Sequence, residues 1–225
     1  MFKKDLLNNH RRLTKMHVIL EALAKDMEFT GDTERDMRLF LELHGCLQTA
    51  DHCFDVAQEA QRIAHLYGAD PQAALLSGYL HDISAVIPNY ERIAVSRSLG
   101  LEVLPEEEAF PMIIHQKLSR VIAEELFGIR NLNVLSAIEC HTTLKSGASL
   151  MDKILFVADK LAWDQPGVPP YQEAMLNQLD VSLDDAAFAY IHHLWQQRER
   201  LKVVHPWLKA AYDDLAHQCK ASGSL

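Results

Sequence analysis

The sequence predicts an all-α protein, and three observations predict it. Apolar residues recur at helical spacing from end to end, helix-start and helix-stop residues bracket the periodic stretches, and no segment alternates apolar and polar residues as a half-buried strand would. The first 35 or so residues read as one amphipathic helical stretch closed by Gly31-Asp32, which makes residues 1–37 an N-terminal helical extension and 38–220 the main domain. From Thr49, the positions Val56, Ala60, Ile63, Ala64 and Tyr67 form one helical face, and Gly68 stops that helix at its C′ position. Asp70-Pro71 restarts a helix as N-cap and N1, running through Ala73 and Leu80 to His81-Asp82. Pro88 and Gly100 bracket a short helix, and another runs from Ser119 to Phe127 before Gly128. Asn131 caps the next, with Leu132, Leu135, Ile138 and His141 on one face. Ser149-x-x-Asp152 is a capping-box start for Leu150 to Leu161. After the break at 163–170, a long amphipathic helix is expected from about Leu183 to Lys202, and Pro206 opens the last one.

Composition narrows the function. With 225 residues against roughly 100–200 per domain, one compact domain plus an extension fits, and such a chain buries a core without disulfides. The 22 Lys+Arg against 31 Asp+Glu leave a net charge of −9. That balance argues against nucleic-acid binding, which rests on phosphate neutralisation by basic residues, and against an anionic membrane surface. No apolar h-region follows the charged N-terminus and no run approaches a bilayer span, so a cytoplasmic protein is expected. The four cysteines (46, 53, 140 and 219) form no Cys-x-x-Cys pair and read as reduced, mostly buried thiols.

Histidine is the unusual residue, 12 in the chain. His81-Asp82 closes one apolar helix and His141 another. His52 lies on the core face of a third, and Asp159 is embedded in the apolar run Ile154-Leu-Phe-Val-Ala-Asp. A buried carboxylate is costly unless paired or on a metal, and imidazoles with carboxylates and no thiolate suit an N/O divalent-metal site. Taken singly, each has a plainer reading: a lone helical histidine is more often a hydrogen-bonded core residue, and Asp159 alone could serve as an internal capping partner. His10, His17, His44, His65, His192, His193 and His217 are assigned to core or surface roles of that kind. The joint pattern of one His, then His-Asp, then Asp, on separate helices, points instead to a metal centre.

That order resembles the HD-domain metal-dependent phosphohydrolases, an all-helical family. It is similar in particular to the YqeK-type symmetrical bis(5′-nucleosyl)-tetraphosphatases. The resemblance covers about residues 40 to 215 and rests on Asp51-His52, Leu80-His81-Asp82-Ile, Ile114-His115, Glu139-Cys-His141-Thr-Thr, Gly147 to Asp159, and the tail His205-Pro206-x5-Tyr212. It implies a first metal held by His52, His81, Asp82 and Asp159, and a second held by His115 and His141 with Asp82 bridging and acting as the catalytic residue. The implied cofactors are two divalent ions, iron in that family, with manganese or cobalt as alternatives. Two such ions, roughly 3.5–4 Å apart, activate a water at neutral pH and neutralise phosphoryl oxygens. Their charge also inverts the local field, so the net −9 does not exclude a polyphosphate substrate.

The chain departs from the family's pattern in four places. Thr49, Ala85 and Lys145 stand where the family usually carries Arg, Lys and Arg, and Ala162 stands where it carries an acidic residue. Lys145 and Thr142, on the segment after His141, are the candidate substrate-binding residues, although a lysine cannot grip phosphate bidentately. The expected activity is hydrolysis of a nucleotide phosphoanhydride, with diadenosine tetraphosphate giving two ADP as the first candidate. The alternatives are a nucleotidase or phosphomonoesterase, or a non-catalytic metal-containing nucleotide-binding domain. The expected partner is a small-molecule nucleotide, with a homodimer as the candidate assembly.

Overall fold

In the computed structural model, residues 16–222 are described, and they contain helices and turns with no strand among them. The N-terminal stretch is not one helix there. Helix α1 is only Val18–Leu23, and α2 (Thr33–Leu43) begins after a loop. The loop is set by Asp36, whose buried carboxylate accepts from the backbone N–H of Thr30 and Gly31 and from the Thr30 hydroxyl, while Asp32 caps α2. Residues 1–15, His10 included, lie outside the described residues. Leu20 and the α2 residues Met37, Phe40 and Leu41 all join the single core cluster.

Helices α3 (Leu47–Tyr67) and α4 (Pro71–Leu80) form the most extensive packed pair. Gly68 closes α3 in the left-handed conformation at φ 67°, and Asp70 caps α4 by accepting from Gln72 and Ala73 N–H, as the sequence predicts. Gly78 permits the close crossing: a Cβ there would lie 2.3 Å from the Ala57 Cα. Asp82 then leads into a 3-10 turn, Ile83–Val86, followed by α5 (Arg92–Ser98), α6 (Pro105–Ala109) and α7 (His115–Glu125). Helix α8 (Leu132–Cys140) is capped by Asn131, and α9 (Leu150–Leu161) starts on the reciprocal Ser149–Asp152 capping box. Residues Ile154 to Ala158 of α9 are wholly buried because α3, α4, α8 and the later helices surround it, as expected of a helix apolar on every side.

Two short helices escape the sequence pattern, α6 and α10 (Gln172–Leu179), the latter with only Met175 and Leu179 buried. Helix α11 (Leu183–Gln196) stops six residues before the expected end. The run Gln-Arg-Glu-Arg has no apolar face to bury and tightens into a 3-10 turn at Arg198–Arg200. Helix α12 (Pro206–Ser222) follows. Its approach is pinned by a buried group of charges. Glu107 on α6 meets Lys117 of α7 at 2.9 Å and His205 at 3.4 Å, and Lys117 also lies over the Trp207 ring. Of the four cysteines, Cys53, Cys140 and Cys219 are buried and Cys46 is partly so. No helix among the described residues is long and apolar enough to cross a membrane.

Candidate metal centre

The fold brings all six predicted ligands into one connected set, because each lies at or near a helix end or on a face turned to the same centre. His81 and His141 are the residues immediately after α4 and α8, and His115 opens α7. His52 and Asp159 face each other from α3 and α9, with His52 Nε2 3.3 Å from Asp159 Oδ1. His81 Nε2 lies 3.6 Å from the same oxygen and 3.7 Å from Asp82 Oδ2. On the other side, Asp82 Oδ1 is 3.0 Å from His115 Nε2 and 3.3 Å from His141 Nε2. Asp82 thus stands between two groups of donors, His52–His81–Asp159 and His115–His141.

Backbone carbonyls fix the imidazoles. His81 Nδ1 donates to Gly78 O and His141 Nδ1 to Ile138 O, both at 2.8 Å, and His115 Nδ1 donates to Met112 O. These bonds place the proton on Nδ1 and turn the Nε2 lone pair inward, the orientation that metal-bound histidines need. The result is that His115 Nε2 and His141 Nε2 lie 2.9 Å apart, with the Asp82 carboxylate beside both. Two lone pairs and an anionic oxygen at that spacing call for a cation between them.

Burial sharpens that demand. His81 Nε2 and Asp82 Oδ1 are buried and have no hydrogen-bond partner, and neither does His52 Nδ1. Burial pulls His141 down to about 4, against the opposing Asp82 carboxylate beside it, so the ring is neutral at pH 7. Burial pushes Asp82 and Asp159 up, but His81 and His115 around Asp82, and Lys160 and His52 around Asp159, outweigh it and hold both carboxylates well below their usual value. Burial lowers His81, but Asp82, Cys53 and Asp159 outweigh it and hold the imidazole well above its usual value. His52, His81 and Asp159 form one group able to hold a metal ion, and His81, Asp82 and His141 another, with ligand atoms in each within 4.8 Å of one another. The donor set of imidazoles and carboxylates therefore fits a divalent cation.

Several residues that support the centre carry no sequence signal. Lys160 Nζ donates to Asp159 Oδ2 and, at 2.9 Å, to His141 O, so one buried cation ties a carboxylate of the first group to the backbone of the second. Gln116 joins α7 to the segment after His141, accepting from Thr142 N–H at 3.1 Å and donating to Thr143 Oγ1 at 3.1 Å. Ser84, two residues after Asp82, donates to His115 O and accepts from Ser119 Oγ. The helix propensity or capping value of these residues says nothing of such partners, because each partner comes from a distant segment.

Of the two candidate substrate-binding residues, Thr142 lies at the centre, its hydroxyl 3.2 Å from His115 Nε2. Lys145 is held elsewhere: Nζ donates to Ser136 Oγ at 2.7 Å and faces the buried Asp152 carboxylate at 3.6 Å, with no ion pair to Asp82 or Asp159. Leu144 between them takes the left-handed conformation at φ 55°. Of the other histidines, His17 accepts from Ile19 N–H as a helix cap, His44 bonds Phe40 O, and His192 and His193 pair with Gln196 and Gln197.

Several known proteins are similar to this chain. A protein of Lactococcus lactis subsp. cremoris, described only as an uncharacterized protein in the pepC 5′ region, is 47% identical over 145 residues, which are 64% of this chain and 73% of that protein. The symmetrical bis(5′-nucleosyl)-tetraphosphatase of Halalkalibacterium halodurans is 28% identical over 73% of this chain and 87% of its own length. The enzyme of the same name from Staphylococcus aureus is 29% identical over 57% of this chain and 66% of its own. A solved structure from Clostridium acetobutylicum, described as an HD superfamily hydrolase involved in NAD metabolism, superposes with a TM-score of 0.75 at 23% identity, covering 85% of this chain and all of that one. Residues 49–164, just over half of the chain, match the HD domain and take in all six clustered residues, so the chain belongs to the HD-domain family.

Proposed function

We propose that this chain is a dinuclear metal phosphohydrolase that cleaves a nucleotide phosphoanhydride, with diadenosine tetraphosphate, cut at its centre to two ADP, as the first candidate substrate. The observation that carries the reading is the convergence of His115 Nε2, His141 Nε2 and Asp82 Oδ1 opposite the His52–His81–Asp159 group. His52, His81, Asp82 and Asp159 would hold one ion, and His115 and His141, with Asp82 shared, the other. Iron is the first candidate, with manganese or cobalt next. When bound, such a pair supplies an activated water and neutralises charge on the attacked phosphoryl group.

The chain's own residues set the direction of approach. Asp82 is the least covered carboxylate of the set, its side chain 28% exposed against 13% for Asp159, so substrate enters from the side of Asp82 and His115. The Thr142 hydroxyl beside His115 is positioned to donate to a phosphoryl oxygen. Lys160 offsets one carboxylate charge and fixes the Asp159 rotamer rather than meeting substrate, since it is 8% exposed.

Separation of the products of metal-loaded protein tests the reading. ADP as the only nucleotide from diadenosine tetraphosphate supports it, and AMP with ATP refutes the symmetrical cut. A second reading, a mononucleotide phosphomonoesterase, draws on the tethering of Lys145 to Ser136 and Asp152, which removes one grip on a long phosphate chain. Release of inorganic phosphate from a mononucleotide, with diadenosine tetraphosphate left intact, would establish that reading instead.

A further inference from the structure

We propose that Arg92 is a specificity-determining residue that grips the phosphate flanking the one attacked, at the lip of the centre beside His115. This inference rests on the phosphohydrolase reading for its reaction, but its binding chemistry can be measured separately.

Arg92 opens α5, ten residues after Asp82. Its Nε–H donates to Ile87 O at 3.2 Å and an Nη1–H to Met112 O at 3.4 Å. The Met112 oxygen is the same one that receives His115 Nδ1–H, so guanidinium and imidazole are neighbours across a single carbonyl. Among the described arginines that are not exposed, Arg38 and Arg120 face carboxylates, whereas Arg92 makes no ion pair. A half-buried guanidinium held by neutral carbonyls alone keeps its full charge for another anion. Two of its five N–H donors are used, which leaves three in the planar fork suited to bidentate phosphate contact. Burial lowers the guanidinium from its ordinary value, and the Asp82 carboxylate opposes that pull, in keeping with a short reach to the centre.

The position fits the flanking phosphate. Arg92 sits behind His115 on its Nδ1 side, whereas the cluster is on the Nε2 side, so the guanidinium stands back from the atoms that would hold the ions. Met112, which bridges the two, is 49% exposed and marks the open edge of the site. The other cations near the cluster are committed, Lys160 to Asp159 and His141 O, and Lys145 to Ser136 and Asp152. A mononucleotide monophosphate held at the centre would not extend to Arg92, whereas a chain of phosphates would. Arg92 therefore discriminates in favour of polyphosphates.

The test is calorimetric titration of metal-loaded protein with inorganic tripolyphosphate and with orthophosphate, for wild type, Arg92→Ala and Arg92→Lys, alongside metal content and thermal midpoint. One lost charge-assisted contact predicts tripolyphosphate binding weakened about ten- to a hundredfold in Arg92→Ala, with orthophosphate binding unchanged and two metals retained. Arg92→Lys keeps the charge without the fork and should fall between. It also serves if the alanine variant is unstable. Equal weakening for both anions, or tripolyphosphate bound by Arg92→Lys and Arg92→Ala as by wild type, would overturn the proposal and leave Arg92 a loop pin. If wild type binds tripolyphosphate in the predicted order of variants but cleaves no dinucleotide, the proposed substrate fails and the role of Arg92 stands.

Discussion

Replacing Gly78 by alanine should force α3 away from α4 and disturb the centre that the two helices carry. The added Cβ would lie 2.3 Å from Ala57 Cα, 2.6 Å from Ala57 N and 2.9 Å from Ala57 Cβ, where carbon atoms prefer about 3.5–4.0 Å. The first two are backbone atoms of a packed helix, so no side-chain rotation relieves them and the helices must part by about 1 Å. Overpacking of this kind costs about 1–3 kcal/mol, here at the upper end, and the better helix propensity of alanine returns about 1. A net loss of about 2 kcal/mol lowers the thermal midpoint of a chain this size by about 4–8 °C. The same displacement separates His81 from His52, whose rings now stand 5.2 Å apart and share Asp159, so metal uptake should weaken as well. Adding Ala57→Gly should not restore stability, because the Cα and N contacts remain. Thermal unfolding followed by circular dichroism, with metal titration of the folded protein, reads both effects. A midpoint equal to or above that of wild type would show that the two helices take up the added methyl without parting.

Three further outcomes are expected. Burial raises Glu107, but its bonds from His205, Leu104 N–H and Lys117 outweigh burial and hold its carboxyl below 4.5, so the stability it contributes is present above that pH and lost as pH falls through its lowered value. Glu107→Gln should therefore be less stable than wild type at pH 7 and lose less stability on acidification below about 4.5, measured by urea unfolding across pH; parallel pH profiles would show that the group contributes nothing. Gln116→Leu leaves the Thr142 N–H without its acceptor and should destabilise by about 1–3 kcal/mol, with a matching fall in thermal midpoint; an unchanged midpoint would show that water replaces the amide. Asp82→Ala should empty both metal positions and His115→Ala mainly one, since Asp82 faces both groups and His115 only one; equal metal loss in elemental analysis would show the division into two groups to be wrong.

Most of the clustered residues stand out in the sequence because their signals are local, whereas His115 stands out only through the family resemblance. His81-Asp82 ends an apolar run, and Asp159 breaks another, and burying a carboxylate there demands a partner. Helix α9 and its capping box were legible for the same reason, since Ser149 and Asp152 bond within one turn. What was not legible depends on pairs far apart in the chain. Gly78 reads as an ordinary helical residue until Ala57 of the preceding helix is beside it. Arg92 reads as a surface charge at a helix start until the carbonyls of Ile87 and Met112 fold around it. Lys145 reads as a loop cation near His141, but its ammonium is taken up by Ser136 of α8 and the buried Asp152 of α9. The expected N-terminal helix fails on Asp36, which recruits the Thr30 and Gly31 N–H groups that a continuous helix would need for itself.

The most direct test is the metal stoichiometry of chelator-stripped protein titrated with Fe²⁺ under anaerobic conditions, and with Mn²⁺ in parallel. Two equivalents per chain are expected, taken up by nitrogen and oxygen donors alone, because His52, His81 and Asp159 gather on one side of Asp82 and His115 and His141 on the other. Uptake of no metal, or saturation at a single equivalent with both ions, would contradict this.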